Sequence, residues 1–309
     1  MNQRIQQLRE QSLNAVNRLT VERARLITEF YRNSREYSAP VQRAECFNYI
    51  LSNKFICINP GELIVGERGP APKATPTYPE VNLHSLDDLD ILDSRPKVSF
   101  KVDAEMRRIY KEEIIPFWSG KSHRERMLKQ MSAEWISAYR AGIYTEFQEQ
   151  RAPGHTVLGN KIYQLGMLDI IRQIDRETEQ LDFALDMSAL DKREELKGMR
   201  LSAEALISFA LRHAIKLEEM AEAESHTERK NELLEIAGIC RKVPAHAPRT
   251  FHEALQYYWF VHLGVITELN PWDSFNPGRL DQHLIPFYRQ GMEDGSLTQA
   301  AAKLLLAGH

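Results

Sequence analysis

The sequence is poor in the residues from which redox and metal centres are usually built. Its three cysteines, Cys46, Cys57 and Cys240, are far apart and form no C-x-x-C. That spacing argues against a disulfide framework or a zinc site and for a reducing compartment. Histidine pairs are no better placed: Asp281 and His283, or His246 and His252, match no recognised ligand pattern. No cysteine has a neighbouring histidine to lower its pKa. A Walker A sequence, a G-x-G-x-x-G after a strand and a G-x-S-x-G are all missing, which sets aside the common nucleotide-binding and serine-hydrolase designs.

Charge of one sign is missing too. Forty Lys and Arg against 43 Asp and Glu leave a net charge of −3, so no overall field draws the chain to nucleic acid or to an anionic membrane. The longest apolar run, Tyr257 to Ile266, is broken by His262 and is too short to span a bilayer. The N-terminal stretch carries charges throughout and is not read as a signal peptide. A cytoplasmic protein with a small-molecule or protein partner is expected.

What is present is helical periodicity. With 43% hydrophobic and 27% charged residues over 309 positions, the chain can build one large core or two modest ones. "VERARLITEFY" places Ala24, Ile27, Thr28 and Tyr31 on one side, and "APVQRAECFNYILSN" reads as a second helix. Leu63 to Val65, between Gly61 and Gly66 and ahead of four prolines, reads as a short strand-like run entering a long loop. Helices are expected again from Asp103 to Trp118 and through "SAEWISAYRAGIYTEF". From Leu201 a stripe of Leu206, Phe209, Ala210, His213, Ala214, Leu217 and Ala221 predicts a strongly amphipathic helix with Ser202 as a plausible cap. A partner helix is expected over about Glu228 to Cys240. Thr250 and Glu253 form a capping box that opens an almost wholly apolar, buried helix. No repeat and no linker is evident.

Two polar loops interrupt this scaffold. One carries Phe147 and, after Pro153-Gly154, His155; the other carries Trp272, Asp273 and Phe275. Each polar residue has a structural explanation, the imidazole satisfying a turn and the carboxylate capping one. An acid and an imidazole on loops hung from rigid helices, each near aromatic rings, also suit a small polar substrate that needs a proton donor and an acceptor in a partly dry pocket. Spacing leaves both readings open.

Longer blocks narrow the choice. "GELIVGERG", "TYPEV", "YKEEIIPFW", "TEFQEQRAPGHTV" and the run from "VPAHAPRTFHEAL" to "GRLDQHLIPFY" resemble the N-terminal part of glycyl radical enzymes of the pyruvate formate-lyase superfamily. "EQRAPGHT" and "ELNPWDSFNPGR" resemble the branch that dehydrates trans-4-hydroxy-L-proline. The resemblance implies a mainly α chain with some β, the helical N-terminal part of a ten-stranded α/β barrel, with residues 1–309 an incomplete piece of one domain. It further implies chemistry in which a stored glycyl radical makes a cysteine thiyl, the thiyl abstracts a substrate hydrogen, and the carbon radical loses water to give pyrroline-5-carboxylate. His155 would hold or protonate the departing hydroxyl, Asp273 would fix the ring nitrogen and Phe147 would pack on the ring; the two polar roles could be exchanged.

The same resemblance implies an S-adenosylmethionine-dependent activating enzyme and a homodimer for the complete protein, with no cofactor held by residues 1–309 themselves. Neither the Gly-Cys-x-Glu loop nor the R-V-x-G-Y segment of such enzymes is found, and all three cysteines read as buried thiols. The sequence therefore reads as an N-terminal fragment, inactive alone, whose Tyr257 to Val265 would expose apolar surface meant for an absent half. Alternatives are glycerol or diol dehydration, choline cleavage, formate acetyltransfer, a non-catalytic half of a split enzyme, or a relic.

Overall fold

The computed structural model describes residues 3–143, 159–269 and 277–307. Phe147, His155 and Asp273 lie outside them. Helices dominate: α1 Gln3–Asn14, α2 Glu22–Asn33, α3 Ala39–Asn53, α4 Leu86–Ser94, α5 Ala104–Ile109 and α6 Ile115–Trp118, then α7 His123–Gln130, α8 Ala133–Arg140 and α9 Met167–Glu179. Four more carry most of the core or follow it: α10 Ala189–Ala223, α11 Thr227–Lys242, α12 Phe251–Glu268 and α13 Leu280–Asp294, followed by α14 Gln299–Ala307. Strands β1 Arg18–Thr20 and β2 Ala74–Pro76 pair in parallel, Leu19 opposite Thr75. Among the described residues these are the only named strands. None of the described helices is long and apolar enough to cross a membrane.

Helix α3 divides the interior. Its Phe47 and Leu51 face a large cluster built from α9 to α12, where Phe209, Leu217, Tyr257 and Phe260 are buried. Its Cys46 and Ile50 face a smaller cluster with α2, α4 and the α5 to α6 rod, around Tyr110 and Ile114. That rod starts at Asp103, whose side chain accepts from the Met106 N–H, and is interrupted by a π turn at Tyr110–Ile114. The Ile115 N–H reaches back to the Tyr110 carbonyl, and the next residue, Pro116, has no N–H to offer the ladder.

Three sequence expectations are corrected. Ser202 does not cap a helix: α10 begins thirteen residues earlier, at Ala189, and the Ser202 hydroxyl donates to the Gly198 carbonyl inside it. The charged run 191–197 is helix-favouring, and Gly198 is no break but a close approach, where a Cβ would sit 3.0 Å from the Pro40 carbonyl oxygen. Second, Leu63 to Val65 is not a strand: the chain bends at Leu63 and Ile64 and pairs with no strand. Third, Tyr257 to Val265 is not a bare apolar face: Tyr257, Phe260, Val261 and Leu263 are all at most 3% exposed, covered by α3, α10 and α11. The cysteines are buried as expected, and burial pushes the Cys57 thiol up to about 11 and those of Cys46 and Cys240 higher.

Candidate functional site

Helix α12 is the organising element, because the chain passes from its end directly into residues 270–276. Its start is fixed by the capping box, with the Thr250 hydroxyl accepting from the Glu253 N–H and the Glu253 carboxylate accepting from the Thr250 N–H. Lys242 then donates to both carboxylate oxygens of Glu253, each at 2.7 Å.

One face of α12 holds the segment at 63–66. Residues spaced four and three apart, His252, Gln256 and Trp259, lie along one helical stripe. The His252 Nε2 bonds the Leu63 carbonyl at 2.7 Å, which makes Nε2 the protonated nitrogen. The Gln256 amide accepts from the Val65 N–H at 2.8 Å and donates to the Val65 carbonyl at 2.9 Å. The Trp259 indole donates to the Gly66 carbonyl at 2.8 Å. The segment thus satisfies its backbone through helix side chains rather than a sheet partner. Next in line, the buried Lys54 ammonium donates to the Glu67 and Arg68 carbonyls; burial pulls it down to about 8 against the opposing pull of Glu22 and Glu67.

The other end of α12 is held by a collar of polar side chains. Helix ends leave their last four carbonyls without intrahelical partners. Here the Tyr78 hydroxyl donates to the Ile266 carbonyl, and the Arg23 Nε donates to the Thr267 carbonyl at 2.6 Å. One residue on, the Glu268 carboxylate is paired with Arg43. Arg23 is 4% exposed; it makes a two-pronged ion pair with Glu80 at 2.6 and 3.2 Å, and its guanidinium lies 4.0 Å over the Tyr78 ring. Burial alone would depress this guanidinium, yet Glu80 holds it above its ordinary value. Burial raises the Glu268 carboxyl despite Arg43. A cation at a helix C-terminus also meets the negative end of the helix dipole.

Residues that follow His155 and Asp273 in the sequence come together. Tyr163 follows His155 by eight residues and His283 follows Asp273 by ten; their rings stack at 5.1 Å and 21°, with Phe287 6.2 Å from Tyr163. The Tyr163 hydroxyl is buried and has no hydrogen-bond partner among the described residues. Nearby, an apolar groove of about 530 Å3 runs between α3, α10 and α12 from Phe47 and Leu206 to Leu269. Its half-buried carboxylate, Glu268, is already engaged by Arg43. Among the described residues no three metal-ligating side chains converge.

Sequence reasoning singled out Phe147, His155 and Asp273, and none of these lies within the described residues. What it missed is the collar and the Gln256 to Val65 clasp. A signal existed for the first: Arg23 stands four residues before Ile27 on the apolar side of α2, and Tyr78 and Glu80 sit together in "TYPEV".

Comparison with known proteins supplies the frame for this geometry. A family model described as pyruvate formate lyase-like matches residues 1–308. The chain is 47% identical over 305 residues to the trans-4-hydroxy-L-proline dehydratase of Clostridioides difficile, covering 98% of this chain and 39% of that protein. It is 28% identical to the isethionate sulfite-lyase of Nitratidesulfovibrio vulgaris, over 95% of this chain and 37% of that one. The crystal structure of the C. difficile hydroxyproline dehydratase with trans-4-hydroxy-L-proline bound superposes with a TM-score of 0.96 at 46% identity, covering all of this chain and 39% of that one. The chain therefore spans well under half the length of these relatives. Helix-rich architecture, family model and superposition agree, and the chain belongs to the pyruvate formate lyase-like family of glycyl radical enzymes.

Proposed function

We propose that this chain supplies part of a dehydratase acting on trans-4-hydroxy-L-proline. The observation that carries the proposal is the difference in likeness within one family: 47% identity to the hydroxyproline dehydratase against 28% to the isethionate lyase, over nearly the same stretch. Residues 1–309 would form an incomplete portion of the catalytic domain, since neither a Gly-Cys-x-Glu nor an R-V-x-G-Y sequence occurs among them.

In the complete enzyme a protein glycyl radical, installed by an S-adenosylmethionine-dependent activating enzyme, would generate the thiyl that starts the reaction. This chain's contribution would be to bind and to move a proton. Phe147 would pack on the pyrrolidine ring, Asp273 would hold the ring nitrogen, and His155 would hold or protonate the hydroxyl as it departs. A homodimer in the cytoplasm is the expected setting. The test is kinetic: in an activated enzyme containing this chain, His155→Ala should lower kcat more than it raises KM, because an interaction formed as the hydroxyl leaves acts on the transition state. Unchanged turnover in that variant would remove His155 from the mechanism.

A further inference from the structure

We propose that α1 is a detachable strap, latched to α11 by Arg4 and Glu232, whose release uncovers a cavity floored by Glu62 and Glu67. This device is independent of the substrate assigned above.

Helix α1 covers the protein without being packed into it: none of its residues is buried. Its Ile5 and Leu8, three apart and so on one side of the helix, line a cavity of about 460 Å3 together with Asn59, Glu62, Glu67 and Lys73. The helix rests on the turn at Gly61, where a Cβ would lie 3.8 Å from Leu8 Cδ2 and 3.9 Å from Arg4 Cγ. Asn59 holds the two carboxylates of the floor. Its N–H donates to Glu62 at 2.9 Å, and its side-chain amide donates to Glu62 at 2.6 Å and to Glu67 at 3.2 Å. Burial pushes the Glu62 carboxyl up to about 7 against those bonds, and raises Glu67 as well, as expected of carboxyl groups short of water.

The directional ties of α1 are polar. Arg4 donates to both Glu232 oxygens, at 2.5 and 3.1 Å, and the Gln11 Nε2 donates to the Pro60 carbonyl at 3.3 Å. Glu232 is shared with Arg229, which also reaches the Glu62 carbonyl, so the latch and the cavity floor meet at one residue. Burial would raise the Glu232 carboxyl, yet the two arginines hold it below its ordinary value. Opening the latch acts on the whole helix. A twelve-residue helix is marginal by itself, and this one has no acid in its first turn and no base in its last. Arg4, close to the N-terminus, meets the positive end of the helix dipole unless Glu232 neutralises it. The unlatched strap therefore unfolds. Because the side chains of the pair are 27% and 25% exposed, concentrated salt can loosen it.

Hydrogen exchange and hydroxyl-radical footprinting of the 309-residue chain test this. Arg4→Gln removes the charge of the latch and keeps much of its length. Amide exchange in α1 should then rise about fivefold or more over the parent. Oxidation of Leu8 and of Pro72, which lines the same cavity, should rise with it, while Leu185, 87% exposed, is oxidised as before. Tm should fall by no more than a few degrees, since α1 buries no residue. The parent in about 1 M salt, where the screening length is about 3 Å, should behave like Arg4→Gln and gives the same readout without a substitution. Unchanged α1 exchange in Arg4→Gln and in high salt would overturn the latch. Faster exchange with Pro72 oxidation unchanged would overturn the role of α1 as the cover of the cavity.

Discussion

The side-chain amide of Gln256 closes both backbone groups of Val65, accepting from its N–H at 2.8 Å and donating to its carbonyl at 2.9 Å. Both residues are fully buried. Gln256→Leu removes the amide and leaves a buried donor and a buried acceptor unpaired, each costing about 1–3 kcal/mol. The expected result is a loss of about 2–4 kcal/mol in denaturant unfolding, with Gln256→Glu no better because a carboxylate cannot donate to the carbonyl. A loss below about 0.5 kcal/mol would mean that the segment at 63–66 is not held by α12.

Gly66 is the pivot of the same segment. Its φ of +124° lies where side chains are strained, and a Cβ there would meet Leu263 Cδ1 at 2.6 Å. Gly66→Ala combines backbone strain with overpacking and should cost about 2–4 kcal/mol. Thermal unfolding of the variant checks this, and a Tm unchanged from the parent would contradict the left-handed geometry at this position.

His213 should dominate the acid limb of stability. It is 1% exposed, its Nδ1 donates to the Phe209 carbonyl at 2.9 Å, and burial pulls the imidazole down to about 3, the Phe209 bond opposing. Since the folded value is depressed, the unfolded chain takes up a proton near pH 6.5 that the folded chain refuses. The stability held by the neutral ring is complete above about pH 6.5 and is lost as pH falls towards about 3, at up to about 1.4 kcal/mol per pH unit. His213→Leu should flatten the curve in that window, because leucine takes up no proton in either the folded or the unfolded chain. Parallel pH curves for parent and variant would contradict the assignment.

Much of the helical frame is legible in the sequence, for identifiable reasons. Helix α3 has the bounds of the apolar run "APVQRAECFNYILSN", with Pro40 in its first turn, and α12 begins at the Thr250 and Glu253 capping box. These signals are local, a period or a cap within four residues. The start of α10 is not legible, since Gly198 looks like a boundary and only its contact with Pro40 shows it to be packing. Bonds from Gln256 to Val65 and from Arg23 to Thr267 join residues 191 and 244 positions apart, and no periodicity encodes them. The expected apolar exposure of α12 fails for the same reason: hydrophobicity all round a helix says that it is covered, not which part of the chain covers it. Of the site, the sequence names Phe147, His155 and Asp273 by resemblance, and these lie outside the described residues, while the Tyr163 to His283 stack and the polar contacts at the end of α12 are long-range pairings that no local pattern announces.

The substrate assignment has the most direct test. An enzyme containing this chain, activated anaerobically by its S-adenosylmethionine-dependent partner, is given trans-4-hydroxy-L-proline, isethionate, glycerol and 1,2-propanediol in separate reactions, and consumption and product are followed. Loss of hydroxyproline with formation of pyrroline-5-carboxylate, and no comparable turnover of the other three, is the predicted result. Turnover of one of the others with hydroxyproline untouched would contradict it.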